Sequence, residues 1–394
     1  MVLTRHAQNK LQLHDVNVKL SETKKTKSLS GPEQTLSSFY AKRLFQQFLV
    51  NAWAICDQNK LEWLRHIQDR LRDIVEGDQV NAANLGRRFI LPSSFHGGPH
   101  FMSKLYYDSM AIVRHFEKPS LFITFTANPK WTEITDELLP GQAVFDRLDL
   151  TAEVFNLKVC RLLKDLKNIF NQYKGLVRTI EYQKRGLSHM RLLLFLDPED
   201  NFTDADKVDQ IICAKFPDKT KNPELFEIVT SCILHCPCGD LNPRNPCMIE
   251  NGRGGMICSK RFPKEFQDET VMPENGYPLC RRRRVPAEEQ NNYFYSVRPS
   301  SRTGPGIVMD NRWVVPYNPY LTKKYKIHIN VEVCISIQTI KYVNKYVYKG
   351  SDRTTLDIED TQDKIKKHLH SRYIEPSEAV WDLFSSRRMR KIPQ

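Results

Sequence analysis

The sequence predicts an α+β fold in which helices pack on an antiparallel sheet. Residues 177–196, VRTIEYQKRGLSHMRLLLFL, hold two apolar runs around a short turn that contains Gly, which is typical of a β-hairpin. Residues 121–125 form a short apolar run that predicts a central strand. Residues 154–173 have a helical period, with Leu157 and Leu166 on the apolar side. The order strand, helix, hairpin predicts an antiparallel sheet that carries helices.

The composition favours a polyanion as the binding partner. The 394 residues are 40% hydrophobic and 27% charged, with a formal net charge of +13. This excess of positive charge predicts binding to nucleic acid. We expect no membrane partner, because no apolar run approaches the ~20 residues of a spanning helix. The N-terminus has no apolar core of a secretory signal.

The N-terminal third is predicted to be a basic segment followed by helices. Residues 1–34 are polar and rich in Lys, so we expect them to be flexible. Residues 35–116 are expected to form a helical region that begins with a helical hairpin. Its first helix would bury Leu44, Phe48 and Ile55, which lie at helical spacing. This region is either scaffold or a platform for a second DNA contact.

The second strand of the hairpin is a candidate metal site. His189 and Arg191 are two residues apart and share one face of the strand, whereas Leu192, Leu194 and Leu196 point to the core face. An H-x-H pair on such a strand would bind a divalent metal well, because two imidazoles converge on one ion. Arg191 stands at the second position, and a guanidinium cannot ligate a metal and would repel one.

A cysteine-rich insertion at residues 231–266 predicts structural zinc. Five of the ten cysteines lie between Cys232 and Cys258, and without a signal peptide this clustering indicates metal binding rather than disulfides. The expected ligands have H-x2-C-x8-C-x10-C spacing and are His235, Cys238, Cys247 and Cys258. Cys236 could replace His235. Four such ligands suit tetrahedral Zn²⁺ in a turn-rich segment, and the alternative is a loop of reduced cysteines.

Two later segments are candidate DNA contacts. Residues 280–285 contain four consecutive arginines, namely Arg281, Arg282, Arg283 and Arg284. Such a run is either a solvated face or a phosphate-binding surface. Residues 312–325 mix aromatic side chains with cations that include Lys323 and Lys324. This mix suits single-stranded DNA, because bases stack on rings while cations contact phosphates, although the aromatics could equally pack on the core.

Residues 333–348 predict a helix that carries two tyrosines on one side. Tyr342, Lys345, Tyr346 and Lys349 follow the spacing i, i+3, i+4, i+7, so the two phenols stack one turn apart beside ammonium groups. Taken alone, this pattern also fits an amphipathic surface face.

In combination, these segments resemble the Rep, or HUH, nuclease domain of Helitron transposases. The matching stretches are FITFTANPKW at residues 122–131, residues 181–196, and KYVNKYVYKG at residues 341–350, in the family's order. The resemblance implies a Rep/HUH nuclease-like domain over residues 117–350. In that family a tyrosine attacks a DNA phosphodiester, which gives a covalent 5′-phosphotyrosine and releases a 3′-OH.

The resemblance also implies roles for individual residues. Tyr342 and Tyr346 would be the nucleophiles, and Lys345 would favour deprotonation of a phenol. His189 and Glu181 would be ligands of a catalytic Mg²⁺ or Mn²⁺. The side chains expected to contact DNA include Asn128, Arg191 and Lys349. Asn128 follows the first strand and could equally cap the turn there.

Arg191 is the main departure from the family pattern. With one imidazole replaced by a cation, we expect weak or absent Mg²⁺ or Mn²⁺ binding and severely reduced nicking. Arg191 would pair with Glu181 or contact the scissile phosphate. The sequence contains no P-loop, so we expect the helicase of a full Helitron transposase to be absent and residues 351–394 to form a basic, helical tail.

Two functional hypotheses follow. The first is a Helitron-like Rep module that binds single-stranded DNA with impaired nicking. The second is a non-catalytic DNA-binding remnant of a truncated Helitron. A third possibility is an untranslated or unstable pseudogene product with no function. A nuclear location is inferred from the DNA partner alone.

Overall fold

The structure of this chain is a computed structural model. It describes residues 42–75, 89–170, 173–182, 187–252, 254–273, 277–286, 295–297, 307–334 and 374–383. The chain divides into two units, and every described residue belongs to the second, Lys42–Gln394. The predicted flexible segment 1–34 lies outside the described residues. So does the predicted two-tyrosine helix, with Tyr342, Lys345, Tyr346 and Lys349.

The described residues form helices and strands in mixed order. The helices are α1 (Arg43–Val75), α2 (Pro99–Phe116), α3 (Thr132–Thr135), α4 (Leu148–Ile169), α5 (Ala205–Ile211), α6 (Pro223–Ile228), α7 (Pro319–Tyr325) and α8 (Pro376–Leu383). The strands are β1 (Leu121–Thr126), β2 (Gly175–Tyr182), β3 (Ser188–Phe195), β4 (Met248–Glu250), β5 (Met256–Cys258), β6 (Tyr295–Val297), β7 (Ile307–Met309) and β8 (Ile329–Val333). A single π-helical turn, Val229–Ile233, extends α6.

A four-stranded antiparallel sheet organises these elements in the order β2–β3–β1–β8. The hairpin predicted from residues 177–196 is β2 and β3, and the predicted central strand is β1. The α+β prediction is confirmed, because helices pack on a sheet in which every strand pair is antiparallel. The two-stranded ladders β4–β5 and β6–β7 lie outside this sheet.

One face of the sheet is largely apolar, with the buried Arg178 on β2 as an exception. Phe125 on β1 and Leu192 on β3 both point to this face, and neither has any exposed surface. The ring of Phe125 lies 5.8 Å from that of Phe155 on α4. Trp381 on α8 lies 6.4 Å from Phe155, so α4 and α8 together cover this face.

The opposite face is apolar at one end and polar at the other. Helix α2 covers the apolar end, where Val113 packs with Phe122, Leu193 and neighbouring side chains. The α2–sheet packing requires a glycine on β2, because a Cβ at Gly175 would lie 2.8 Å from Phe116. Beyond the reach of α2, the same strands present polar side chains.

Two predictions about the helices were wrong. Residues 43–75 form one continuous helix rather than a hairpin, since the segment contains no Gly or Pro that would break it. The predicted core residues Leu44 and Phe48 are 73% and 63% exposed. Helix α1 instead buries Phe45 and Leu49, which are equally periodic, so spacing alone could not choose between adjoining faces.

The same error affects α4. Leu157, predicted on its apolar side, is 63% exposed, whereas Phe155, Val159 and Leu162 are buried against the sheet. Leu166 is buried as predicted. Among the described residues, no helix has both the length and the apolar character needed to cross a bilayer.

The arginine run does not act as a single surface. Arg282 is 4% exposed, and its Nη1 donates to the carbonyl oxygens of Ala214, Asn311 and Val314 at 3.2, 2.7 and 2.5 Å. Burial lowers the pKa of Arg282 to about 10, so the guanidinium remains charged at neutral pH. The prediction of a DNA contact at Arg282 was wrong, because this buried side chain forms hydrogen bonds that connect three segments of the fold.

We expect Arg282→Met to destabilise the protein by about 3 kcal/mol. The substitution fills a similar volume but leaves buried carbonyl groups without a donor. Urea unfolding followed by circular dichroism would measure the change. Arg283→Met is the matched control, since Arg283 is exposed and, within the described residues, its guanidinium donates to the single carbonyl of Asp268. Equal stability of the two variants would contradict this role of Arg282.

Candidate functional sites on the sheet and in the cysteine-rich segment

A row of four polar side chains crosses the sheet at its polar end. The strand register places Glu181 opposite His189 and His189 opposite Thr126. The backbone N–H of Thr126 donates to the carbonyl oxygen of His328, 3.2 Å away, immediately before β8. The polar row consists of one residue from each strand or its flank, namely Glu181, His189, Thr126 and His328.

His189 is held as a neutral imidazole. Its Nδ1 lies 2.9 Å from Thr126 Oγ1. The pKa of His189 is lowered to about 4, first by burial, then by the positive charge of Arg191, and last by an electrostatic interaction with His328. At neutral pH the ring therefore keeps a nitrogen lone pair, which a metal ligand or a proton acceptor needs.

Arg191 pairs with Glu181 on the neighbouring strand. Arg191 Nε donates to Glu181 Oε2 at 3.1 Å, and the two side chains are 19% and 20% exposed. The sequence left two partners open for Arg191, namely Glu181 and the scissile phosphate. The structure contains the ion pair with Glu181. The second carboxylate oxygen, Glu181 Oε1, is buried and has no hydrogen-bond partner in the described part of the chain. The Arg191 charge is thus balanced locally.

Asn128 fixes the turn that follows β1. Its Nδ2 donates to the carbonyl of Lys326 at 2.6 Å, and its Oδ1 accepts from the backbone N–H of Lys130 at 2.9 Å. Both ends of the Asn128 amide therefore form hydrogen bonds to the backbone, as expected for a residue that caps the turn. Lys326 lies two residues before His328 and has a left-handed backbone with φ 50. Asn128 thereby positions the segment that leads into His328.

Most of the cations predicted to contact DNA have partners within the protein. Lys323 lies 3.5 Å from Glu224, and Lys324 lies 2.8 Å from Asp165.

The three remaining arginines of the run each have a different partner. Arg281 contacts Asp209 at 3.3 Å, and Arg283 contacts the carbonyl of Asp268 at 2.8 Å. Arg284 stacks over the ring of Phe266 at 4.9 Å. Arg283 and Arg284 are exposed.

His328 is the site residue that the sequence reading missed. The alternation of His328, Asn330 and Glu332 with apolar residues was an available signal of a polar strand face. His328 Nδ1 lies 2.6 Å from the carbonyl oxygen of Cys232, in the π-helical turn. Burial lowers the pKa of His328, and this hydrogen bond partly opposes the shift.

The cysteine-rich segment brings its four predicted ligands together. One ligand atom each from His235, Cys238, Cys247 and Cys258 lies within 4.8 Å of all the others. These residues are called the cysteine cluster below. Cys258 stands opposite Met248 in the β4–β5 ladder, which places it beside Cys247. Cys236 is exposed and outside the cluster, so the structure selects His235 between these two candidates.

The electrostatics of the cysteine cluster suit a cation. Burial, followed by the charges of Lys264 and Lys260, lowers the pKa of His235 to about 4 and keeps its ring neutral. Burial and the neighbouring thiols of Cys258 and Cys247 raise the pKa of Cys238 to about 12. The thiol of Cys238 therefore resists ionisation until a metal ion supplies positive charge.

These four residues could therefore hold a metal ion. Four protein ligands leave no open coordination position, which is the arrangement of a structural rather than a catalytic site. The backbone N–H of Lys260 lies 3.4 Å from Cys258 Sγ, and such donors stabilise a metal-bound thiolate. The ten cysteines are free thiols in this structure.

Comparison with known proteins identifies one domain. Residues 31–194 match the family model described as the Helitron helicase-like domain at the N-terminus. The matched range contains β1, β2 and most of β3, and therefore His189, Arg191 and Glu181. The cysteine cluster and β8 lie beyond it. No curated protein matches the chain.

The lowered pKa of His189 predicts a loss of stability in mild acid. The folded protein keeps this ring neutral, whereas the unfolded chain protonates it near its ordinary value of 6.5. Unfolding free energy should therefore fall between about pH 6.5 and pH 4, by up to about 1.4 kcal/mol for each unit of pKa shift.

Urea unfolding at several pH values would measure this effect. His189→Asn should flatten the profile, because an amide does not titrate but can still bond to Thr126. The control His66→Asn changes an exposed histidine on α1 and should leave the profile unchanged. Parallel profiles for the wild type and His189→Asn would contradict the buried neutral state.

The cysteine cluster predicts a bound metal ion in the purified protein. Elemental mass spectrometry should find about one ion per chain, and Cys238→Ser should remove most of it, because one buried thiolate ligand is lost. Cys236→Ser is the matched control and should retain the ion. Metal-free wild-type protein, or equal loss in both variants, would refute the site.

Proposed function

We propose that this chain, which carries a Helitron-related domain in residues 31–194, is a Rep-like module that binds single-stranded DNA. The family match is the observation that carries the proposal. It covers the hairpin and central strand that support His189 and most of the polar row. The net charge of +13 adds the electrostatic attraction that a DNA-binding module needs.

In this proposal, DNA lies along the polar end of the sheet and the exposed cations. Arg283 and Arg284 are exposed and are the members of the arginine run best suited to phosphates. Arg281, Lys323 and Lys324 would contribute through exchange of their present carboxylate partners, and Arg191 and Lys349 complete the proposed contacts. Arg282 is left out because its guanidinium is buried.

The proposed chemistry is transfer of a DNA phosphoryl group to a tyrosine. The phenolate oxygen of Tyr342 or Tyr346 attacks the phosphorus, the bond to the 3′ oxygen breaks, and the 3′ oxygen takes up a proton to become the 3′-OH. Lys345 favours the phenolate by its positive charge. A bound Mg²⁺ or Mn²⁺ would polarise the phosphate beside His189.

A second proposal is a DNA-binding protein without nicking activity. The Arg191–Glu181 ion pair favours it, because both side chains are engaged where the family pattern would supply metal ligands. In that case the polar row keeps the arrangement of a nuclease site but not its catalytic activity. We propose Zn²⁺ as the ion of the cysteine cluster in both versions, since one imidazole and three thiolates are a common zinc ligand set. A nuclear location follows from the DNA partner.

Salt dependence tests DNA binding itself. Affinity for a labelled single-stranded oligonucleotide, measured by fluorescence anisotropy, should fall at least tenfold between about 50 and 200 mM salt, because bound counterions are released. The double variant Arg283→Gln, Arg284→Gln should bind more weakly and with a shallower salt slope. Absent or salt-insensitive binding would refute both proposals.

A covalent-adduct assay separates the two proposals. The wild type, Arg191→His, and a double variant with Tyr342→Phe and Tyr346→Phe would each be mixed with the oligonucleotide and Mn²⁺, and resolved on a denaturing gel. A wild-type adduct that the double variant cannot form supports the nicking module. An adduct formed by Arg191→His alone supports the non-catalytic remnant.

A further inference from the structure

Two histidines on the polar row have their Nδ1 atoms already occupied. His189 Nδ1 lies 2.9 Å from Thr126 Oγ1, and His328 Nδ1 lies 2.6 Å from the carbonyl oxygen of Cys232. A carbonyl oxygen can only accept, so the proton of neutral His328 is on Nδ1 and its Nε2 carries a lone pair. His189 has the same arrangement when its Nδ1 donates to the hydroxyl of Thr126.

This hydrogen-bonding pattern is the one found in histidines that bind metals. A ligating imidazole usually donates its second N–H to a backbone carbonyl or another oxygen, which fixes the tautomer and orients the ring. Both histidines flank Thr126, one from β3 and the other from the start of β8. Because Thr126 has a small side chain, the space between the two rings is not filled by a bulky neighbour on β1.

An oxygen ligand lies on the same strand face. Asn330 is two residues beyond His328 and stands opposite Thr124 on β1. Its Nδ2 donates to Glu332 Oε1 at 2.9 Å, which fixes the amide. Asn330 Oδ1 is buried and accepts no hydrogen bond from the described residues. A buried acceptor without a donor is unfavourable, and a cation would satisfy it.

We propose that His189, His328 and Asn330 bind a divalent cation, with His328 supplying the second imidazole that Arg191 cannot provide. The inference rests on the proposed function, since it assigns the ion of that same site. Two imidazoles and one amide oxygen favour Mn²⁺ or a later transition metal over Mg²⁺. The positive charge of Arg191 does not exclude the ion, because Glu181 balances it at 3.1 Å.

Mn²⁺ alone is the probe for this site. The protein would be purified with the metal of the cysteine cluster in place, passed over a chelating resin and titrated with Mn²⁺, while electron paramagnetic resonance counts the free ion. We expect about one Mn²⁺ per chain. The bound ion should show magnetic coupling to two imidazole nitrogens.

Asparagine variants test the two ligands without removing their supporting hydrogen bonds. In His328→Asn the side-chain amide can replace Nδ1 as the donor to Cys232 but offers no Nε2. His328→Asn and His189→Asn should each weaken Mn²⁺ binding at least tenfold and leave coupling to one nitrogen. His66→Asn, on the exposed surface of α1, should bind as the wild type does. Unchanged metal content of the cysteine cluster would verify folding of every variant.

The outcomes distinguish this inference from the proposed function. No Mn²⁺ uptake by the wild type, or unchanged uptake by His328→Asn, overturns the cation site. Binding of single-stranded DNA would be measured separately in buffer free of divalent ions. DNA binding without Mn²⁺ uptake leaves the proposed function standing, whereas Mn²⁺ uptake without DNA binding refutes the proposed function alone.

Discussion

The pairing of β1 with both β3 and β8 is the constraint on which the rest of the structure depends. Because alternate residues of a strand point to opposite faces, this register gathers Glu181, His189, Thr126 and His328 on one face. The other face is largely apolar and is covered by α4 and α8. A shift of one residue in β3 would turn His189 to the apolar face and Leu192 to the polar face, so burial of the apolar face also fixes the polar row.

The cysteine-rich segment supports this sheet as well as its own fold. It packs with α6 and residues around Trp313 and Val314 in a separate apolar cluster. Arg282 joins residues from three parts of that region through its guanidinium. The carbonyl of Cys232 in the π-helical turn contacts His328, so the segment that carries the cysteine cluster also orients one residue of the polar row. π-Helical turns occur frequently at functional sites.

Arg191 alters the chemistry of the polar row more than its shape. As an unpaired cation it would repel a metal ion, and as a partly buried charge it needs a partner. Glu181 meets both requirements, although this engages a carboxylate that could otherwise be a ligand. Burial, and to a lesser extent the charge of Arg191, lowers the pKa of His189 and keeps that ring neutral. A neutral imidazole is a better metal ligand than a protonated one.

The sequence by itself determined the features that depend on local spacing. Alternation over residues 177–196 identified the hairpin and the face that carries His189, and spacing identified His235, Cys238, Cys247 and Cys258 as four residues that could hold a metal ion. Tertiary structure decided the features that depend on distant contacts. It selected one apolar face of α1 over another, buried Arg282 among three carbonyls, and placed His328 beside Thr126. Periodicity shows that a side chain can be buried or exposed, but strand order and packing determine which neighbours it meets.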